Sequence, residues 1–210
     1  VAIALVQFIV VDNNASGGTG ISLAFSGNVT AGNVLCGFAQ LSFVAPSSVT
    51  DTQGNTYSLV SGQTAVFTAV ASSTGPCTVT FHGTPGGNNF NLLAEYSGAT
   101  ATVGLGTSLG TNVTAVSNGP ITIASPPEAV VSFYSTYAGP VYTSTSGAIQ
   151  QSGGGARSAF CHNLSVSASP YTETGSLNSN PFGGGFTSIV LGAGGPPPPS
   201  TSKTQLIINL

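Results

Sequence analysis

The sequence predicts an all-β protein: a two-sheet antiparallel β-sandwich with jelly-roll-like connections and a proline-linked C-terminal strand. Three observations predict it. Apolar runs of strand length recur between clusters of Gly, Pro, Asn and Ser, the pattern of sandwiches and barrels. Some runs alternate with period two: in "CTVTFHG", Val79 and Phe81 point one way and Thr78, Thr80 and His82 the other. Long i, i+3, i+4 patterns, which a helix would need to bury one face, do not occur.

The elements follow in order. Residues 2–11, "AIALVQFIVV", are a continuous apolar run and the first strand. "SGG" at 16–18 turns the chain into a strand over 20–26. "NVLCGFAQLSF", within 33–44, is apolar on both faces, as a central strand is. "DTQGN" at 51–55 reads as a hairpin turn, with Asp51 capping the backbone and Gly54 supplying a positive φ. Strands over 56–60, 64–71 and 76–82 follow, then "TPGGNN" at 84–89 and a strand over 90–97. Two short runs, 112–117 and 120–124, flank "SNGP", and "SPP" closes at 127. "EAVVSFYSTY", covering the strand at 129–137, is again apolar on both faces. Strands over 140–145, 157–168, 171–177 and 185–192 complete the set, with turns at "SGGG" 152–155 and "FGGG" 182–185. No repeat of 20–50 residues is evident. So many strands without an internal linker imply two facing sheets.

The division expected is a sandwich over 1–193, a Gly/Pro-rich linker over 194–203 and a docking strand over 204–210. Four consecutive prolines favour a stiff polyproline II rod. Fully extended, the stretch from Gly192 to Lys203 reaches up to about 40 Å. Beyond it, Thr204, Gln205, Leu206, Ile207, Ile208, Asn209 and Leu210 have β propensity, with Leu206, Ile208 and Leu210 on one face. Such a segment, left bare, is an aggregation hazard. It either folds back on its own sandwich or adds as a strand to a neighbour.

Charge narrows the function. Asp12, Asp51, Glu95, Glu128, Glu173, Arg157 and Lys203 are the whole ionic inventory, 3% of the chain against a typical quarter. Nucleic-acid binding is excluded as an expectation, because phosphate neutralisation needs clustered Lys and Arg. A surface with so little charge changes little with pH or salt and is poorly protected against association. That suits a subunit of an assembly, or else reflects a compositional habit of the source. "VAIALVQFIVV" is too short to span a bilayer and lacks the basic flank of a signal peptide, so it reads as the start of a processed, mature chain. No membrane span is expected.

The chemistry-bearing residues are few. Cys36 lies in an apolar strand and reads as a small core hydrophobe; Cys77 and Cys161 are left as a candidate disulfide if the chain is extracellular. Asn14, Asn28, Asn112 and Asn163 head sequons and are candidate glycosylation sites, although a chain this rich in Asn, Ser and Thr forms some by chance. His162 directly follows Cys161, and adjacent strand residues point to opposite faces, a poor geometry for a nucleophilic dyad. Glu95, in "LLAEYSG", reads as structural, accepting hydrogen bonds from a nearby turn. Asp12 and Asp51 sit in the loops that could offer oxygens to calcium, but "DTQGN" is more simply a turn. No catalytic residue, metal site or cofactor is therefore expected. Tyr134, Tyr137, Tyr142 and Tyr171 fall in one half of the chain. They would serve a carbohydrate site if exposed, and otherwise pack at strand ends.

The stretches "AGNVLCGFAQL", "SSVTDTQGNTYSLV", "GPCTVTFHG", "LLAEYSGA", "PPEAVVSFY" and "FTSIVLGAG", in that order, resemble a jelly-roll-like β-sandwich domain of secreted and surface bacterial proteins. The resemblance covers roughly residues 2 to 193 and implies a secreted sandwich, with no activity attached. The near-absence of charge, the cysteines and the proline-linked tail depart from that pattern. The expectation is thus a non-enzymatic structural subunit at a cell or virion surface, polymerising with its own copies by strand exchange through the terminal segment. A capsid decoration protein anchored by the tail and a carbohydrate-binding adhesion module are the alternatives.

Overall fold

The structure, a computed structural model, describes residues 2–13, 18–41, 45–60, 65–86, 89–109, 115–124, 127–136, 142–146, 149–152, 158–178 and 184–194. The tail over 204–210, and with it Asn14, Asn112, Tyr137, Arg157 and Lys203, lies outside the described residues.

The described residues form strands and no helix, so the all-β, antiparallel expectation holds. The first half contributes β1 (Ala4–Asn13), β2 (Gly20–Ala24), β3 (Val34–Leu41), β4 (Ser48–Asp51), β5 (Ser58–Val60), β6 (Ala65–Val70), β7 (Thr78–His82) and β8 (Asn89–Ser97). The second contributes β9 (Ala99–Leu109), β10 (Ala115–Ile121), β11 (Glu128–Thr136), β12 (Tyr142–Ser144), β13 (Ile149–Ser152), β14 (Ser158–Val166), β15 (Tyr171–Leu177) and β16 (Gly184–Ala193).

The sandwich occurs twice. One five-stranded sheet runs β1-β8-β3-β6-β5 and faces a three-stranded sheet, β2-β7-β4. The other runs β9-β16-β11-β14-β13 and faces β10-β15-β12. The second set repeats the first, strand for strand. Registers repeat too: Cys36 pairs with Ala94 on one side and Thr68 on the other, as Val131 pairs with Ile189 and His162.

The two five-stranded sheets pack face to face, which explains why the central strands are apolar on both sides. Val34, Cys36 and Phe38 of β3 and Leu92, Ala94 and Tyr96 of β8 meet Ala129, Val131 and Phe133 of β11, Phe160 of β14, and Ile189 and Leu191 of β16 in one core. Phe38 stacks on Phe133 at 5.8 Å, and Phe133 on Phe160 at 6.0 Å. The alternate residues of β3, Leu35, Ala39 and Leu41, face the other way. There they join Leu93 and the β7 residues Val79 and Phe81 inside the first sandwich. All eight residues of β3 are therefore buried. The second sandwich closes over smaller clusters, including Val116, Tyr134, Tyr142, Cys161 and Leu177. The layers run three, five, five and three strands. Each fully buried Leu or Phe in them contributes about 1.5–3 kcal/mol.

Two positions need glycine, one for its backbone angle and one for a close approach. Gly54 has φ +72° and completes the expected turn after Asp51. A Cβ on Gly175 would sit inside the Tyr142 ring, which lies flat over β15.

Four strands depart from the sequence reading. β4, Ser48–Asp51, is not among the expected runs, because its Ser, Thr and Asp carry little apolar signal. The turn expected at "SNGP" lies inside β10, where a register shift between Asn118 and Ile121 absorbs Gly119 and Pro120. This is permitted because β10 is an edge strand, where a missing N–H costs nothing. β9, "ATATVGLGTSL", escapes notice because its glycines read as breakers, yet it pairs with β16 along its length. β13, "IQQS", is too short and polar to show.

Candidate functional site

Three carboxylates, Glu95 and Glu173 buried and Asp51 half-buried, organise the polar interior, and each is held by neutral donors. Glu95 is fully buried on β8 and accepts from the Gln7 amide at 2.6 Å, the Thr30 backbone N–H at 2.8 Å and the Asn33 amide at 2.6 Å. It thus ties the loop before β3 to the β1 edge, the structural role expected of it. Asp51 accepts from the backbone of Gln53 and Asn55, from the Asn55 amide at 2.7 Å and from the Tyr57 hydroxyl at 2.8 Å. Burial pushes its carboxyl up, but these hydrogen bonds outweigh it and hold Asp51 below the ordinary value. The loop is a hydrogen-bonded turn whose oxygens are already engaged.

Glu173 on β15 is the densest hub. It accepts from the hydroxyls of Tyr142, Ser144, Ser146 and Tyr171, at 3.0, 2.7, 2.6 and 2.6 Å. The Cys161 thiol lies 3.5 Å from it, as the Cys77 thiol does from Asp51. Burial foremost, with the carboxylate charge adding, raises the phenols of Tyr57, Tyr142 and Tyr171 above their ordinary range, so they remain donors.

The pairing of Cys77 with Cys161 is corrected. The two lie in separate cores, one inside each sandwich, and all three cysteines are buried free thiols. Burial, then the neighbouring carboxylate, pushes Cys77 up to about 12 and Cys161 well above its usual value. Neither is a poised nucleophile. Cys36 sits in the shared core as a small hydrophobe, as expected.

Cys161 and His162 point to opposite faces of β14. The thiol enters the second sandwich, while His162 enters the shared core, where its Nδ1 meets the Tyr96 hydroxyl at 3.0 Å. Burial lowers the His162 pKa, leaving it neutral. His82 is on the outer face of β7, 2.7 Å from the Thr50 hydroxyl across the strand pair. Among the described residues no group of three His, Cys, Asp or Glu could hold a metal ion. Among them also, no helix is long and apolar enough to cross a membrane.

Among the described residues the tyrosines make no exposed platform. Tyr134 and Tyr142 are buried and stack on each other at 5.1 Å, and Tyr171 is half-buried with its hydroxyl on Glu173. Of the sequons that are described, Asn28 is exposed in the loop before β3. Asn163 is half-buried on β14, with its side-chain oxygen accepting from the Ser165 N–H.

The site that remains is where the chain leaves the fold. β16 ends at Ala193, paired with Ala99, and the next N–H, of Gly194, donates to Gly98 at 2.8 Å. Ala193 lines a groove of about 240 Å³ with Ala2, Ile3, Pro127, Leu164 and Ser165. The exit therefore lies beside the start of β1, where Ala4 pairs with Ser97. Sequence reasoning found the tail but not this juxtaposition, which depends on β8 and β16 being equivalent strands of a duplicated sandwich.

By fold and site this is a doubled antiparallel β-sandwich with a sealed polar interior. No family model, no curated protein and no solved structure matches the chain.

Proposed function

We propose that the protein is a non-enzymatic structural subunit of an extracellular filament or surface assembly, joined copy to copy by strand addition of residues 204–210. The observation that carries this reading is the completeness of the fold. Two matched sets of eight strands are already built from residues 4–193, without any contribution from residues 204–210. A β-prone segment on a proline rod is then surplus to the domain and available to a neighbour. The sealed carboxylates and buried thiols support a scaffold rather than a reaction centre. A head-to-tail contact of this kind propagates into a fibre or closes into a ring.

Deletion of residues 196–210 tests it. The deletion removes no described strand, so the truncated chain is expected to stay folded and monomeric while the full chain assembles. A truncated chain that still forms the same polymer overturns the reading.

The strand order β1-β8-β3-β6 against β2-β7-β4, repeated in the second half, supports reading each sandwich as jelly-roll-like, an architecture that occurs in virus shells. It supports a second reading, a decoration subunit anchored to a capsid by the same tail. Electron microscopy of native material separates fibre from shell.

A further inference from the structure

We infer that the acceptor of the tail is the outer edge of β1 in a second copy of this chain. The inference rests on the proposal that residues 204–210 add as a strand, and it names where.

β1 is one of the two long edges of the described fold, the other being β9, whose eleven residues carry no acid to meet Lys203. It pairs with β8 on one side and, among the described residues, with no strand on the other. Natural edges are blunted by shortness, lysine, proline or bulges. The other edge strands of the first half are short, with three residues in β5, five in β2 and four in β4. β1 has ten residues, no proline and no lysine. Its single irregularity is at Val6, between Leu5 and Gln7. Val6 is 48% exposed. From Gln7 to Asn13 the register is regular, and Phe8, Ile9, Val10 and Val11 are only half-buried, with no described strand paired beyond them.

That regular stretch is seven residues, long enough to pair with all of Thr204 to Leu210. Charge gives the direction. Antiparallel addition brings Lys203, one of the chain's two cations, to the Asp12 end of β1, whereas parallel addition carries it to the opposite end.

The linker decides between own edge and neighbour. As polyproline II, residues 194–203 cover roughly 30 Å. The exit beside Ala4 is only about 10 Å from Gln7, so a parallel return on the same chain would need the rod to fold on itself. The Asn13 end is about 30 Å away, which consumes the whole rod and leaves no residue to reverse direction for antiparallel pairing. A second copy imposes neither constraint.

Cysteine cross-linking of the full chain tests this, since the three native thiols are buried. In the antiparallel register Ile9 lies opposite Ile208, and Val11 opposite Leu206. Chains carrying Ile9→Cys are mixed with chains carrying Ile208→Cys and oxidised under assembling conditions, and Val11→Cys with Leu206→Cys is a second pair. The expected result is a disulfide-linked heterodimer from either mixture, and a ladder of multimers when both substitutions share a chain. An internally bridged monomer places the tail on its own β1 and overturns the inference. Assembly without any cross-link at either pair also overturns it. In that case loss of assembly on deleting 196–210 still upholds the tail as the joint, so the two failures are distinguishable.

Discussion

Phe133→Ala should weaken both sandwiches at once. The ring is 1% exposed and stacks between Phe38 of the first half and Phe160 of the second, at 5.8 and 6.0 Å. Its removal leaves a cavity walled by both five-stranded sheets. Truncation of a buried Phe costs about 3–5 kcal/mol, some 0.5–1.5 of it from each aromatic pair. With a urea m-value of about 2–3 kcal/mol per M for a chain of this size, the midpoint falls by roughly 1–2 M. Since the cavity belongs to both halves, the loss should appear in a single transition of unchanged slope. The chain has no Trp, so the probes are far-UV circular dichroism and the near-UV signal of its tyrosines. Tyr57 reports on the first sandwich, Tyr96 on the shared core, and Tyr134 and Tyr142 on the second sandwich. Coincident traces are the expected outcome. Phe81→Ala, which removes a ring from the interior of the first sandwich alone, is the control. Two separated transitions in the Phe133 variant, or a midpoint moved by less than about 0.3 M, would refute the shared core.

Three further outcomes are expected. His162 is neutral in the fold because burial lowers its pKa, while the unfolded chain takes up a proton near pH 6.5. Its contribution is therefore whole above that pH and is lost as pH falls toward the lowered folded value, at up to about 1.4 kcal/mol per pH unit. Denaturant midpoints measured from pH 7.5 to 5 should show this slope in the native chain and not in His162→Phe; an equal slope in both would place the titration elsewhere. All three thiols should resist an aromatic disulfide reagent in the native protein and react together in denaturant, whereas a native chain with one thiol after denaturation would restore the Cys77–Cys161 bond. Asn91 is 1% exposed with neither amide atom hydrogen-bonded, a cost of about 1–3 kcal/mol. Asn91→Leu should raise the urea midpoint, and a lower midpoint would show that the amide is engaged.

How much of this was legible depends on what each residue signals. The alternation of Val79 and Phe81, the two-faced apolarity of β3 and β11, the Asp51 turn and the structural place of Glu95 all follow from local pattern, and the structure has them. β9 does not announce itself, because Ala, Thr and Gly carry little hydrophobic signal and its place is fixed by pairing with β16. The duplication is hidden for a related reason. Val34, Leu35, Cys36, Gly37 and Phe38 correspond to Ala129, Val130, Val131, Ser132 and Phe133, and only the phenylalanine is shared. What repeats is which face each residue buries, and burial is specified by type rather than identity. The free cysteines were misread from count and compartment alone, since sequence does not say that the two sandwiches keep Cys77 and Cys161 in separate cores.

The carboxylate hubs show how far this freedom extends. In the first sandwich Asp51 of β4 pairs in register with Val79, two residues beyond Cys77. In the second, Ser144 of β12 pairs with Gly175, two residues beyond Glu173. The same pair of facing positions thus holds an acid and a thiol in one half and a hydroxyl and an acid in the other, with the acid moved to the opposite strand. A buried charge in a chain with two cations cannot rely on ion pairing and must be satisfied by hydrogen bonds. Backbone N–H, amide and phenol donors do so around Asp51, and four hydroxyls around Glu173. The requirement at this pair of positions is a ring of donors around the carboxylate; which of the two strands carries the acid is interchangeable. That is why single acids, isolated in sequence, gave no sign of acting as centres, and why their partners are Ser, Tyr and Asn rather than Lys or Arg.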